Sequence, residues 1–181
     1  MKHIIRIGTL AIGLMLLMGF KPVEQPTAHL NWITIEEAIE LSAKSDKKIL
    51  IDLYTDWCGW CKVMERDTYS KQEVVDYINE HYYPVKFNAE QKGEVVVKDH
   101  TYKFVANGRR GYHELAAALT QGKLSYPTTV FLDENLNLLT SVSGYQKAPQ
   151  MMPILAYFGE DAYKNQGWED FSNEYKTRSG K

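Results

Sequence analysis

The chain has 181 residues, 44% of them hydrophobic, with 21 Lys and Arg against 23 Asp and Glu and a formal charge of −2. That length suits one domain with a core of its own, and the nearly balanced charge excludes a general affinity for nucleic acid. With two cysteines in total, a disulfide-dense scaffold is excluded as well.

Lys2 and Arg6 precede an uncharged apolar stretch over residues 7–20. It is shorter than a membrane span of about 20 residues and fits the apolar region of a secretory signal. Two readings of residues 1–20 stay open, a cleaved signal peptide and an uncleaved N-terminal anchor. Both export the remainder, because the positive flank stays inside. Without residues 1–20, 19 basic and 23 acidic residues remain, a formal charge of −4. Residues 21–29, with Pro22 and Pro26, read as a linker.

Thr34-Ile35-Glu36-Glu37 is a capping box and predicts a helix over 35–45. The apolar run at 49–54 predicts a strand buried on both faces. A helix follows over 58–66. Ser70-Lys71-Gln72-Glu73 has the form of a second capping box, opening a helix with Val74, Tyr77 and Ile78 inside. A strand is predicted at 82–88 with Pro84 near its start. Residues 89–124 are irregular. A short hairpin of 94–97 with 101–105 is expected, then a turn at Asn107-Gly108-Arg109-Arg110-Gly111 and a helix over 112–120. Strands at 128–132 and 138–143 form a hairpin, and 148–158 is a helix with Pro149 in its first turn. The tail over 161–181 is a C-terminal extension with a short helix at 168–175. Strands alternating with helices and ending in a hairpin imply an α/β fold, a mixed sheet covered on both faces.

Both cysteines lie in Trp57-Cys58-Gly59-Trp60-Cys61-Lys62, between the 49–54 strand and a helix. Two thiols at this spacing can close a small ring or open to a dithiol. A C-x-x-C at a strand-to-helix junction is the thioredoxin-like redox pattern, against the alternatives of a static disulfide or half a zinc site. A four-residue ring constrains little of the unfolded chain, so the spacing favours redox work over stapling. Cys58 at the helix N-terminus is where backbone N–H groups and the helix dipole favour a thiolate. Asp52 is a carboxylate inside an apolar strand. Buried there, its pKa is raised, which suits a proton carrier; at a sheet edge it would simply face water. Lys62 reads as a solvated helix residue. His29, His81, His100 and His113 show no metal-ligand spacing, and no metal is expected. Arg109, Arg110, Tyr112 and His113 fall together in the insertion, as a solvated loop or as a substrate-facing wall.

Over residues 30–160 the chain resembles the thioredoxin superfamily. Residues 51–62 match its active-site block, Ser125-Tyr126-Pro127-Thr128-Thr129-Val130-Phe131 its cis-proline block, and Gly144 the glycine after its final hairpin. The match is to exported bacterial members with a Trp-Cys-Gly-Trp-Cys site. The resemblance implies a thioredoxin fold with an insertion at about 89–124, before the cis-proline strand. It implies Cys58 as nucleophile, Cys61 as the deeper resolving thiol and Asp52 as acceptor of the Cys61 proton. Lys86 matches the strand lysine beside that carboxylate, and Gly59 supports the motif. Pro127 is implied to be cis, aiming the Tyr126 backbone at the cysteines so that an extended segment can add as a strand, with Trp57, Trp60 and Tyr126 as its rim.

These features point to a thiol–disulfide oxidoreductase of the periplasm, or of the inner membrane facing it. It would reduce or isomerise protein disulfides with no cofactor beyond the Cys58/Cys61 pair. Gly59-Trp60 places no cation between the cysteines, where the oxidants of the superfamily place a histidine; thioredoxin has proline at Trp60. A membrane-bound electron donor is the implied partner. A non-catalytic binding module and a disulfide-donating oxidase are the alternatives.

Overall fold

A computed structural model describes residues 29–180. The expected signal or anchor segment at 1–20 and the linker up to residue 28 lie outside the described residues.

Helix α1 (Ile35–Ser42) opens on the expected capping box. Thr34 Oγ1 accepts from the Glu37 N–H at 3.2 Å, and Glu37 Oε2 accepts from the Thr34 N–H at 2.9 Å. It ends three residues earlier than predicted, because the Lys44 and Ser45 N–H groups turn to the carbonyls of Leu41 and Ser42 and tighten the chain. Strand β1 (Lys48–Tyr54) follows, then α2 (Gly59–Asp67) and α3 (Gln72–His81). The second capping box does not form. Lys71 is the N-cap of α3 without a side-chain bond, and the Ser70 hydroxyl donates back to the Arg66 carbonyl in α2. Strand β2 (Tyr82–Asn88) matches the prediction.

The insertion holds two hairpins where one was expected. Strands β3 (Val95–Val97) and β4 (His100–Tyr102) make the first; β5 (Phe104–Asn107) and β6 (Arg110–His113) make the second, about Gly108-Arg109. Tyr112 and His113 are therefore strand residues, and α4 is confined to Glu114–Leu119. Strands β7 (Thr128–Leu132) and β8 (Leu138–Ser143), helix α5 (Ala148–Gly159), a 3₁₀ turn (Ala162–Lys164) and α6 (Trp168–Arg178) complete the chain.

The main sheet runs β2-β1-β7-β8, with β1 parallel to β2 and antiparallel to β7, and β7 antiparallel to β8. The mixed sheet is as predicted. Strand β2 is an edge strand, which tolerates Pro84; Ile33 bridges its open side, donating to the Pro84 carbonyl and accepting from Lys86. The core has two layers because successive strand residues face opposite ways. Ile49, Ile51 and Leu53 pack with Val85, Phe87, α1 and α4. Leu50 packs on the other face with Met64 of α2, Val74, Val75 and Ile78 of α3, and Met151 and Leu155 of α5. Asp52 has the parity of Leu50, so β1 delivers it under α2. Among the described residues no helix is long and apolar enough to cross a membrane.

Candidate active site

The C-terminal end of β1 runs through Thr55 into the cysteine motif. The Cys58 N–H donates to the Thr55 carbonyl at 3.1 Å, closing the turn, and Cys58 becomes the N-cap of α2. Cys58 and Cys61 form a disulfide. The Cys61 N–H donates to Cys58 Sγ at 3.0 Å, so the sulfur occupies the place a capping oxygen usually takes. That N–H is the donor a Cys58 thiolate would keep after reduction. Exposure does not separate the two thiols as expected: Cys58 is 4% and Cys61 5% exposed. Position separates them. Cys61 lines a cavity of about 320 Å³ with Asp52, Thr55, Glu65 and Lys86, and Cys58 does not.

Asp52 is 2% exposed. Its register partners are Lys86 on β2 and Thr129 on β7. Neither satisfies it. The Thr129 hydroxyl pairs with the buried Tyr69 hydroxyl at 2.9 Å, and Lys86 Nζ stays 3.9 Å from Asp52 Oδ2. Oδ1 has no hydrogen-bond partner among the described residues. Burial therefore dominates and lifts the Asp52 pKa from 3.8 to about 7, against the pull of Lys86 and with a further push from Glu65. Lys86 prefers Glu65, 2.6 Å away, and lies over the rings of Trp32 and Tyr54 at 5.4 and 5.3 Å. Sequence reasoning missed Glu65. Its signal was available: it stands four residues after Cys61, hence on the same side of α2.

The outer rim is aromatic. Trp57 and Trp60 are both exposed. Trp57 meets Tyr126 edge-on at 6.0 Å, and Trp60 lies 5.5 Å from Tyr145, a residue not singled out from sequence. The Tyr126–Pro127 peptide is cis. Trp60, Tyr126, Pro127, Gly144 and Tyr145 line a shallow groove of about 340 Å³. Gly144 has φ +91° and donates to the Pro127 carbonyl at 2.8 Å, a backbone conformation that calls for glycine. Gly59 carries no such demand, since a Cβ there would meet no atom within 4 Å.

The insertion splits the cluster drawn from its sequence. His113 is fully buried, its ring bonded on both sides, while Arg110 lies over Trp57. Among the described residues no group of three or more His, Cys, Asp or Glu could hold a metal ion. A larger cavity, about 520 Å³, lies elsewhere, between β8, α5 and the C-terminal extension; its lining residues include no cysteine, carboxylate or histidine.

Comparison with known proteins agrees with this architecture. The family model Thioredox_DsbH, described as a protein of unknown function (DUF255), matches residues 20–166. The thiol:disulfide interchange protein DsbD of Actinobacillus pleuropneumoniae is 28% identical over 134 residues, which are 71% of this chain and 20% of that protein. The DsbD of Haemophilus ducreyi is 25% identical over 167 residues, 80% of this chain and 26% of that protein. The chain thus spans about a fifth to a quarter of the length of these two relatives. Among solved structures, a DsbH oxidoreductase superposes with a TM-score of 0.54 at 21% identity, covering 83% of this chain and 94% of its own. A thioredoxin-fold protein from Helicobacter pylori gives 0.53 at 22%, covering 73% and 81%. The fold is the thioredoxin fold, as the sequence blocks implied.

Proposed function

Because the chain belongs to the Thioredox_DsbH family, which matches it over residues 20–166, we propose that it is a thiol–disulfide oxidoreductase that reduces or isomerises disulfides of proteins in the cell envelope. The observation that carries this reading is the cavity shared by Cys61 and Asp52, a buried carboxyl group with one oxygen that has no hydrogen-bond partner among the described residues. Similarity to DsbD proteins, named as thiol:disulfide interchange proteins, supports it. The N-terminal Lys2 and Arg6 before the uncharged stretch at 7–20 support export.

In the reducing direction the Cys58 thiolate attacks one sulfur of a substrate disulfide, forming a mixed disulfide and releasing the other substrate sulfur as thiolate. Cys61 gives its proton to the Asp52 carboxylate and attacks Cys58 Sγ. The Cys58–Cys61 disulfide forms and the second substrate sulfur leaves. Two electrons have passed to the substrate, and both released thiolates are protonated from solvent. A carboxyl group with a pKa of about 7 is matched to accepting and returning a proton near neutral pH. Trp57, Trp60 and Tyr126 hold the substrate backbone against the cis-proline turn. Return to the dithiol requires an electron donor, which for an envelope protein we take to be membrane-bound. The dithiol is the one redox group this scheme uses.

Insulin reduction driven by dithiothreitol tests the reading: turnover by the native protein, and none by Cys58→Ser, is the expected result. Cys61→Ser should accumulate mixed disulfides with envelope proteins that disappear on reduction. A native protein without turnover, whose disulfide resists dithiothreitol, would instead be a binding module with a static bridge.

A further inference from the structure

The β5–β6 hairpin is closely packed along its stem and anchored at its base. The Phe104 ring lies so close to Gly111 that a Cβ there would fall 2.1 Å from it, and Lys92 Nζ lies 3.0 Å from the centre of the same ring. At the base, the His113 N–H donates to the Ala89 carbonyl at 2.7 Å, and the buried His113 ring bonds the Gly93 carbonyl at 2.9 Å. This arm carries Arg110 to the cysteine motif, where the guanidinium carbon sits 4.2 Å from the centre of the Trp57 ring. Trp57 directly precedes Cys58.

Arg110 differs from two other arginines, Arg66 and Arg178, which pair with Asp67 and Glu160. Among the described residues Arg110 has the Trp57 stack and no ion pair. A guanidinium held over a ring by its carbon keeps N–H groups that can still take a carboxylate. We infer that Arg110 is a specificity-determining residue that pairs with an Asp or Glu of the bound protein segment, making segments with a carboxylate close to the reacting cysteine the preferred substrates. The inference rests on the redox reading for its substrate and names the class of segment that site selects.

Reach limits where the carboxylate can stand. The stack covers the residue next to Cys58, and an extended segment advances about 3.3 Å per residue, so the acidic residue lies within about three positions of the substrate cysteine. Other charges oppose a uniformly acidic segment. Asp56 is exposed just before Trp57, and Glu90 is close enough to Tyr126 to help push its phenol pKa up, after burial. The preference is thus for one placed carboxylate and not for net negative charge.

Peptides with Ser in place of the reacting Cys decide the matter without redox chemistry. Tryptophan fluorescence of the oxidised protein is titrated with a peptide bearing Glu two positions from the Ser, with its Gln counterpart, and with a peptide bearing the Glu at its far end. At low salt the first should bind about five-fold more tightly than the other two, the upper range for an exposed ion pair. High salt and Arg110→Gln should each close that gap. A Glu-to-Gln ratio unchanged by Arg110→Gln, a ratio of one in the native protein, or no detectable binding of any peptide overturns the inference. A protein that selects the acidic peptide yet fails to reduce insulin would overturn the redox reading alone.

Discussion

Asp52 and His113 are both closed to solvent, at 2% and 0% exposed, and their surroundings are opposite. Each ring nitrogen of His113 has a partner. Nδ1 accepts from the Leu115 N–H at 3.2 Å, capping α4, and because the Gly93 carbonyl can only accept, Nε2 is the donor at 2.9 Å. The ring also packs edge-on against Phe87. Asp52 has a lysine out of hydrogen-bond range, a threonine turned to Tyr69, and an oxygen with no partner among the described residues. One buried polar group is fully used by the fold; the other is left wanting. Burial is common to both; unmet hydrogen bonding of an ionisable group is what sets Asp52 apart, and it is the property the proposed proton-carrier role uses.

If this contrast is sound, the two residues respond to substitution with opposite signs. The larger effect belongs to His113→Ala. It empties a ring-sized volume and leaves the Gly93 carbonyl and the Leu115 N–H unpaired, a loss of about 3 kcal/mol. Urea unfolding with the disulfide intact should show a lower midpoint. A loss below about 1 kcal/mol would put His113 among ordinary surface substitutions and break the contrast.

Asp52→Asn should stabilise. Below pH 3.8 the carboxyl is neutral folded and unfolded, and its ionisation carries no cost. As pH rises, the unfolded chain releases this proton first, and the folded state loses relative stability until about pH 7. The difference between 3.8 and about 7 corresponds to roughly 4 kcal/mol. An asparagine amide in the same poorly paired place costs back about 1–3 kcal/mol, so a net gain of about 2 kcal/mol is expected at pH 8. The gain should shrink as pH falls and turn into a loss of about 1–2 kcal/mol near pH 4, where the ionisation cost has gone and the amide cost remains, and it should come with slower disulfide exchange. Equal stability of the two proteins at every pH would mean that Asp52 carries no desolvation cost.

The same contrast explains what could be read from the sequence. Asp52 stands out in the sequence because a carboxylate interrupts an apolar run; that it shares the α2 face with Leu50 is seen only in the structure. The cysteine motif fixed α2 and its N-cap. The pattern spreads the β5–β6 hairpin over the end of an expected strand at 101–105, a turn at 107–111 and the start of a helix at 112. Asn107-Gly108 is a strong hairpin signal, but its strands are four residues long and Ala116 and Leu119 extended the helical pattern back over Tyr112 and His113. The α3 cap failed because the Ser70 hydroxyl had a competing acceptor in α2, which local spacing does not reveal. Contacts such as Lys86 with Glu65 depend on how a strand and a helix far apart in the chain come together, and pattern alone does not report them.

Glu65→Gln gives the smallest effect and the sharpest view of the Asp52 side of the contrast. Glu65 acts on Asp52 twice: its charge disfavours a second carboxylate nearby, and at 2.6 Å it holds the Lys86 ammonium that would otherwise favour one. Removing the charge weakens both, so the Asp52 pKa should move down from about 7. Glu65 is half exposed and water screens it, which limits the change to about one unit or less. A ¹³C NMR titration of the Asp52 carboxyl carbon in the oxidised protein reads this directly. The midpoint of the stability loss described for the native protein should shift to lower pH with it, and the total loss should become smaller. An Asp52 titration that stays in place or moves upward would mean that Lys86 is held away from Asp52 by its packing over Trp32 and Tyr54 instead of by Glu65.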